Sequence, residues 1–102
     1  MKMRVSYDRM KLHSLCKQRG IKKLAIFGSA VRDDFKDTSD IDILIEFNIG
    51  FTPGFLGFVQ IMDEISALLG GRKIDLVTYQ SIDPRLREEI LSEAEVQYDK
   101  AG

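Results

Sequence analysis

Three aspartates stand at positions where an ionised side chain is costly unless a cation offsets its charge. Asp40 and Asp42 begin an apolar run that ends at Phe47. Because side chains alternate between the two faces of a strand, both carboxylates point the same way, with their Cα atoms roughly 6.5 Å apart. Asp75 interrupts a second apolar run, and an unpaired carboxylate in a buried strand is strongly unfavourable. If the two strands are neighbours, the three carboxylates converge.

A cluster of three carboxylates is a hard-oxygen site of the kind that Mg²⁺ or Mn²⁺ occupies. When two ions occupy one such site, each has a separate role in a group-transfer reaction. One lowers the pKa of an attacking hydroxyl, and the other stabilises a phosphate leaving group. The pattern also has a plainer interpretation, in which Asp40 caps a turn and Asp75 pairs with Arg72 or Lys73. Asp-x-Asp by itself leaves the two interpretations about evenly balanced.

A glycine and a serine upstream favour the first interpretation. Gly28 and Ser29 directly follow a short apolar segment, residues 24–27. Gly28 allows a sharp turn and a close approach to a ligand, and Ser29 can offer its hydroxyl and backbone N–H to a phosphate. Arg32 can brace the same phosphates with charge-assisted hydrogen bonds. The P-loop pattern and the dinucleotide-binding fingerprint are both missing from the sequence, which argues against those two nucleotide-binding folds.

The elements that must position these residues follow from apolar spacing and from glycine and proline. The predicted helices cover residues 7–19, residue 55 to Gly70-Gly71, and Asp83-Pro84 through Ala94. The predicted strands cover residues 24–27, 41–47 and 73–79. Residues 28–39 are expected to form a loop with a short helical turn after Ser29, and residues 48–54 a second loop. This order predicts an α/β or α+β fold with a small sheet covered by helices.

Composition narrows the class of protein. The 102 residues are enough for one domain, expected to span residues 1–102, with no room for a separate substrate domain. A net charge of −1 argues against direct nucleic-acid binding, which usually needs a basic patch. The sequence has neither an apolar run of membrane-spanning length nor a signal peptide, so a cytoplasmic protein is expected. Cys16 lies at helical spacing from Leu12 and is predicted to be a buried small hydrophobe.

The order Gly28-Ser29, ten residues, then Asp40-x-Asp42 resembles the signature of the polymerase-beta-like nucleotidyltransferase superfamily. Longer segments are similar to its minimal nucleotidyltransferase (MNT) family. These segments are residues 27–32, 39–45, 71–78 and 86–94. The resemblance covers nearly the whole chain from residue 10 onward, and the combination of short motifs makes it specific.

The resemblance implies a small mixed β-sheet flanked by helices, as in the palm of these enzymes. It implies that Asp40, Asp42 and Asp75 are catalytic and bind two Mg²⁺ or Mn²⁺ ions, and that Gly28 and Ser29 hold the phosphates of ATP. Members of the family often act as antitoxins paired with an all-helical HEPN ribonuclease. The implied reaction transfers AMP from ATP to a tyrosine hydroxyl of that toxin, so the acceptor comes from a second protein.

Two other functions stay open, as does a homo-oligomer. The chain could be a non-enzymatic antitoxin that occludes its partner, or a nucleotidyltransferase acting on a small molecule. The aspartates favour an active enzyme, because a binding module does not need Asp75 in an apolar strand. Residues 48–54, followed by Phe55, are a candidate surface for the partner. In the plainer interpretation, Phe55 belongs to the core and Phe51 merely covers it.

Overall fold

The computed structural model describes residues 6–31 and 39–100, which form helices packed on one β-sheet. The α-helices are α1 (Arg9–Gln18), α2 (Phe55–Leu68) and α3 (Pro84–Glu93). The strands are β1 (Ile21–Phe27), β2 (Ile41–Phe47), β3 (Ile74–Thr78) and β4 (Glu95–Asp99). Single 3₁₀ turns follow β1 (Gly28–Val31) and β3 (Tyr79–Ser81). Among the described residues, none of the helices is long and apolar enough to cross a membrane.

The sheet is mixed, with the strand order β3-β2-β1-β4. β1 runs antiparallel to both β2 and β4, whereas β2 and β3 are parallel. A parallel pair needs a crossover connection, and α2 provides it. The prediction of a small mixed sheet flanked by helices is confirmed.

β4 was missing from the sequence prediction. The last helix was predicted to continue through Ala94, but α3 ends at Glu93 and Ala94 is extended, with φ −66° and ψ 136°. β4 begins at the next residue and spans five residues, too few for a clear alternation. It exists because it pairs with the edge of β1, where Leu24 faces Tyr98. A long-range contact of this kind leaves no local pattern.

The core lies on one face of the sheet, beneath α1 and α2. Alternate residues of β2 (Ile41, Ile43 and Ile45) are each 0% exposed and belong to the same cluster as Leu12 of α1 and Ile65 of α2. Fully burying one such side chain contributes roughly 1.5–3 kcal/mol. The opposite face, called the second face below, therefore carries the intervening residues. These residues include Lys23, Ala25, Phe27, Asp42, Leu44, Glu46, Asp75 and Val77.

Cys16 and α3 differ sharply in burial. Cys16 is 0% exposed, so its prediction as a buried hydrophobe is confirmed, and burial raises the pKa of its thiol to about 12.

The helix α3 is loosely packed, because every one of its residues is exposed or half-buried. Leu91 and Ala94, at the end of this helix, line a cavity of about 360 Å³ with Ala25 and Leu44 of the second face. α3 therefore stands over the second face without packing tightly against it.

Candidate active site

Asp42 and Asp75 face each other across neighbouring strands. β2 and β3 are adjacent and parallel, and these two residues are Cα partners in the ladder. Paired residues on adjacent strands point to the same side of a sheet, with the strands about 4.8 Å apart. Both carboxylates therefore lie on the second face, at the ends where β2 and β3 begin. Two residues separated widely along the chain are brought together by strand pairing.

Asp40 reaches the same end of the sheet but stands just outside β2. The amide of Ile41 donates to the carbonyl of Lys73 at 3.0 Å, which places Asp40 beside the entry to β3. The side chains of Asp40 and Asp75 are exposed, and that of Asp42 is half-buried. In the described part of the chain, no three His, Cys, Asp or Glu side chains stand close enough to hold one metal ion between them. The fold thus pairs Asp42 with Asp75 and leaves Asp40 close by.

The donor set suits a hard divalent cation. Asp42 and Asp75 carry carboxylates side by side on one face of the sheet, half-buried at Asp42 and exposed at Asp75. Mg²⁺ is commonly held by one or two carboxylates, with water and phosphate as the remaining ligands. The plainer sequence interpretation paired Asp75 with Arg72 or Lys73. Between the described residues, no ion pair joins Asp75 to either of them. The carboxylate of Asp75 is therefore not committed to the basic side chains that precede it.

Gly28, the first residue of the predicted phosphate loop, lies next to this carboxylate pair. It follows β1 directly, has a φ of +73° and is buried. A Cβ atom on this residue would lie 2.1 Å from Oδ2 of Asp42. Two separate reasons favour glycine at position 28. The left-handed backbone disfavours a side chain, and the Asp42 carboxylate occupies the space that a Cβ atom would need. Sequence reasoning predicted close approach to a ligand, and the structure shows close approach to Asp42 itself.

Ser29 lies in the 3₁₀ turn that follows β1. The short helical turn expected after Ser29 is present, although it begins one residue earlier, at Gly28. Ser29 is half-buried, whereas the next two residues, Ala30 and Val31, are 0% and 1% exposed and belong to the core. The turn is therefore anchored in the hydrophobic core just beyond its polar residue. Arg32 lies outside the described residues.

Glu93 is a residue of this region that sequence reasoning missed. The amide of Gly28 donates a hydrogen bond to Glu93 Oε1 at 3.1 Å. Glu93 is the last residue of α3, where a negative charge opposes the helix dipole. That unfavourable placement was the only signal in the sequence that could have pointed to Glu93, and it is weak.

The helix α3 begins as predicted, with Asp83 accepting from the amide of Arg85 and Pro84 in the first turn.

Comparison by sequence identifies related proteins. Residues 10–101 match the family model described as polymerase beta, nucleotidyltransferase. A candidate protein adenylyltransferase of Methanocaldococcus jannaschii is 39% identical over 92 residues, which cover 90% of this chain and 96% of that protein.

Comparison by structure gives the same picture of the fold. A candidate minimal nucleotidyltransferase of known structure is similar with a TM-score of 0.71 and 34% identity, over 85% of this chain and 86% of that one. An AMPylated HEPN toxin of Shewanella oneidensis has been solved in complex with an MNT antitoxin, and that structure aligns with a TM-score of 0.62. Its identity is 17% over 89% of this chain and 69% of the solved one, so this likeness concerns the fold.

Proposed function

Because the chain belongs to the polymerase beta nucleotidyltransferase family and is a nucleotidyltransferase, we propose that it is a metal-dependent protein adenylyltransferase. The donor is ATP, and the acceptor is a tyrosine hydroxyl of a HEPN-type toxin. Transfer of AMP to that hydroxyl silences the toxin, so the chain acts as an antitoxin. The names of related proteins support protein adenylylation and a HEPN toxin as partner.

The main support for the proposal is that Asp42 and Asp75 are paired across β2 and β3 and that Gly28 lies against Asp42. Asp42 and Asp75, with Asp40 beside them, would hold two divalent ions, Mg²⁺ or Mn²⁺. When bound, such ions supply charge stabilisation to the departing pyrophosphate and lower the pKa of the acceptor hydroxyl. The acceptor oxygen bonds to the α-phosphorus, and the bond between that phosphorus and the oxygen bridging it to the β-phosphate breaks. Pyrophosphate leaves with the electron pair of the broken bond, and the hydroxyl proton passes to solvent.

Residues of the loop after β1 would bind and orient the phosphates. Ser29 can donate its hydroxyl and its amide, and Arg32 would add charge-assisted hydrogen bonds. The absence of a side chain at Gly28 lets the loop approach the carboxylates. The 360 Å³ cavity beneath α3 supports binding of the nucleoside, because Ala25 and Leu44, on the same face as the carboxylates, line it. Leu44, which lines it, is two residues beyond Asp42, roughly 6.6 Å along the strand.

A second surface supports a protein partner. Residues 49–56 expose Ile49, Phe51, Phe55 and Leu56, of which Phe55 is 81% and Leu56 75% exposed. The interpretation that places Phe55 in the core is wrong, because this residue stands on the outer side of the first turn of α2. Phe51 instead covers Gly20, where a Cβ atom would meet its ring at 2.2 Å. Several exposed large apolar side chains within one short segment favour an interaction site.

This apolar surface lies at the far end of the sheet from the carboxylates. Phe47 and Thr78, which end β2 and β3, line a shallow cavity there together with Phe55 and Phe58. Phe47 lies five positions beyond Asp42 along β2, a distance of roughly 16 Å. A helical partner resting on the apolar surface would have to span this distance to present its tyrosine. A non-enzymatic antitoxin would use the same surface, so the experiment must separate binding from transfer.

The test combines the full chain with ATP labelled in its α-phosphate, Mg²⁺ and a HEPN-type protein encoded beside it. We expect label on a tyrosine of the partner, located by mass spectrometry. Asp42→Asn should abolish labelling and Asp63→Asn, a change at an exposed position on α2, should not. Labelling that persists in Asp42→Asn would remove the catalytic assignment. Tight partner binding by the wild-type chain without any labelling would replace transfer with occlusion.

A further inference from the structure

We propose that Glu93 is a positioning residue that holds the loop after β1, so that Ser29 rather than the Gly28 amide contacts the nucleotide phosphates. This inference rests on the proposed function, because it concerns the same nucleotide. Its basis is the hydrogen bond from the Gly28 amide to Glu93 Oε1 at 3.1 Å. Glu93 contacts the loop through the Gly28 amide, so its role in this inference is to position the loop.

Gly28 is held from two sides. Its Cα faces Oδ2 of Asp42, which leaves no room for a Cβ atom, and its amide faces Glu93. The residue is buried, so its amide depends on an acceptor from the protein. A carboxylate is a strong acceptor for a backbone N–H. Together the two acidic side chains define where the loop turns away from β1.

The position of Glu93 is itself determined by the elements on either side of it. α3 starts at a capped end, where Asp83 accepts from the amide of Arg85 at 3.0 Å, and it stops where the amide of Ala94 donates to the carbonyl of Ile90. The next residue, Glu95, already pairs with Ile26 of β1, two residues before Gly28. Glu93 is therefore clamped between a helix end and a paired strand beside the loop.

The contact has a consequence for nucleotide binding. The Gly28 amide already donates to the Glu93 carboxylate, so it is not available to a phosphate. Phosphate contacts then pass to the hydroxyl and amide of Ser29. This directs the triphosphate away from α3 and toward Asp42 and Asp75, where the divalent ions would be held.

The test uses Glu93→Ala, Glu93→Gln and, as a matched control on the same helix, Glu89→Ala at an exposed position. The first readout is hydrogen exchange of the Gly28 amide by NMR, measured without nucleotide. We expect exchange to become about tenfold faster in Glu93→Ala, as for the loss of one hydrogen bond. Glu93→Gln keeps an acceptor oxygen and should keep the amide protected. Circular dichroism establishes that each variant is folded.

The second readout is ATP binding and its kinetic counterpart. Glu93→Ala should raise the Kd and the KM for ATP by about tenfold, because a displaced loop misplaces the phosphates, while kcat changes less. Glu93→Gln should restore most of the affinity, and Glu89→Ala should match the wild type. Ser29→Ala should weaken ATP binding in the wild-type background more than in the Glu93→Ala background, where the loop is already displaced.

Unchanged Gly28 exchange and an unchanged Kd for ATP in Glu93→Ala would overturn the inference. So would equal defects in Glu93→Gln and Glu93→Ala despite normal folding, because the amide would then need more than an acceptor oxygen. Failure of the wild-type protein to bind ATP would instead overturn the proposed function, and the Gly28 amide would still report whether Glu93 holds the loop.

Discussion

Asp42 and Asp75 are Cα partners across the parallel strands β2 and β3, with both side chains on the face of the sheet opposite the core. Two carboxylates in this relationship repel each other, and the cost is tolerable where a cation is bound between them. In the proposed enzyme, the pair serves the reaction rather than the stability of the fold. The first prediction separates the two.

Asp75→Asn should lower AMP transfer by about 100-fold or more, the loss seen when a group that stabilises transition-state charge is removed. The same change should not lower the thermal midpoint, because it removes a like-charge repulsion. Activity is measured with labelled ATP and the midpoint by circular dichroism, both against Asp63→Asn. A variant that unfolds at lower temperature but retains its activity would show that Asp75 serves the fold.

Gly28→Ala should destabilise the protein more than Gly70→Ala does. Both glycines have positive φ, +73° and +81°, so both substitutions carry backbone strain. At Gly28 the new Cβ would also lie 2.1 Å from Asp42 Oδ2, whereas nothing lies within 4 Å at Gly70. We expect a penalty of roughly 1–3 kcal/mol at Gly28 beyond the control. Denaturant unfolding measures both, and equal penalties would mean that the Asp42 contact is easily relieved.

Phe55→Ser should weaken binding of the HEPN-type partner by at least about tenfold, the effect of losing one anchor of an apolar interface. Stability of the free chain should change by less than about 0.5 kcal/mol, as for other exposed positions. Met10→Ser is the matched control, because Met10 is 80% exposed on α1 and Phe55 is 81% exposed. Calorimetric titration with the partner checks the prediction, and similar affinities for the two variants would exclude this surface.

Cys16 should make stability depend on pH in the alkaline range. Burial raises the pKa of its thiol from 9.0 to about 12, so the folded state holds a proton that the unfolded state releases. The stabilisation is complete below pH 9 and is lost as the pH rises toward 12. Cys16→Ala should flatten this part of the profile of unfolding free energy against pH. An identical alkaline slope in the variant would assign the effect to other groups.

Much of the fold follows from local patterns. The starts of α2 and α3, the strands that carry Asp42 and Asp75, and the buried Cys16 were all predicted from spacing, because each depends on residues a few positions apart. The first helix was predicted from residue 7, and α1 begins at Arg9, after its N-cap Asp8. β1 proved longer than predicted, beginning at Ile21, since Lys22 and Lys23 conceal its apolar pattern. β4 escaped prediction because its five residues are a strand by virtue of pairing with β1.

The sequence by itself predicted that Asp42 lies on a strand with Asp40 just before it, that Asp75 interrupts another strand, and that a glycine and a serine stand where a phosphate loop would turn. These properties arise from the alternation of side chains and the backbone freedom of glycine, which neighbouring residues govern. Tertiary structure alone decided that Asp42 faces Asp75, that Gly28 is held between Asp42 and Glu93, and that Phe55 is exposed. Those relationships depend on strand order, register and the path of α3, and they join segments that the linear sequence keeps far apart.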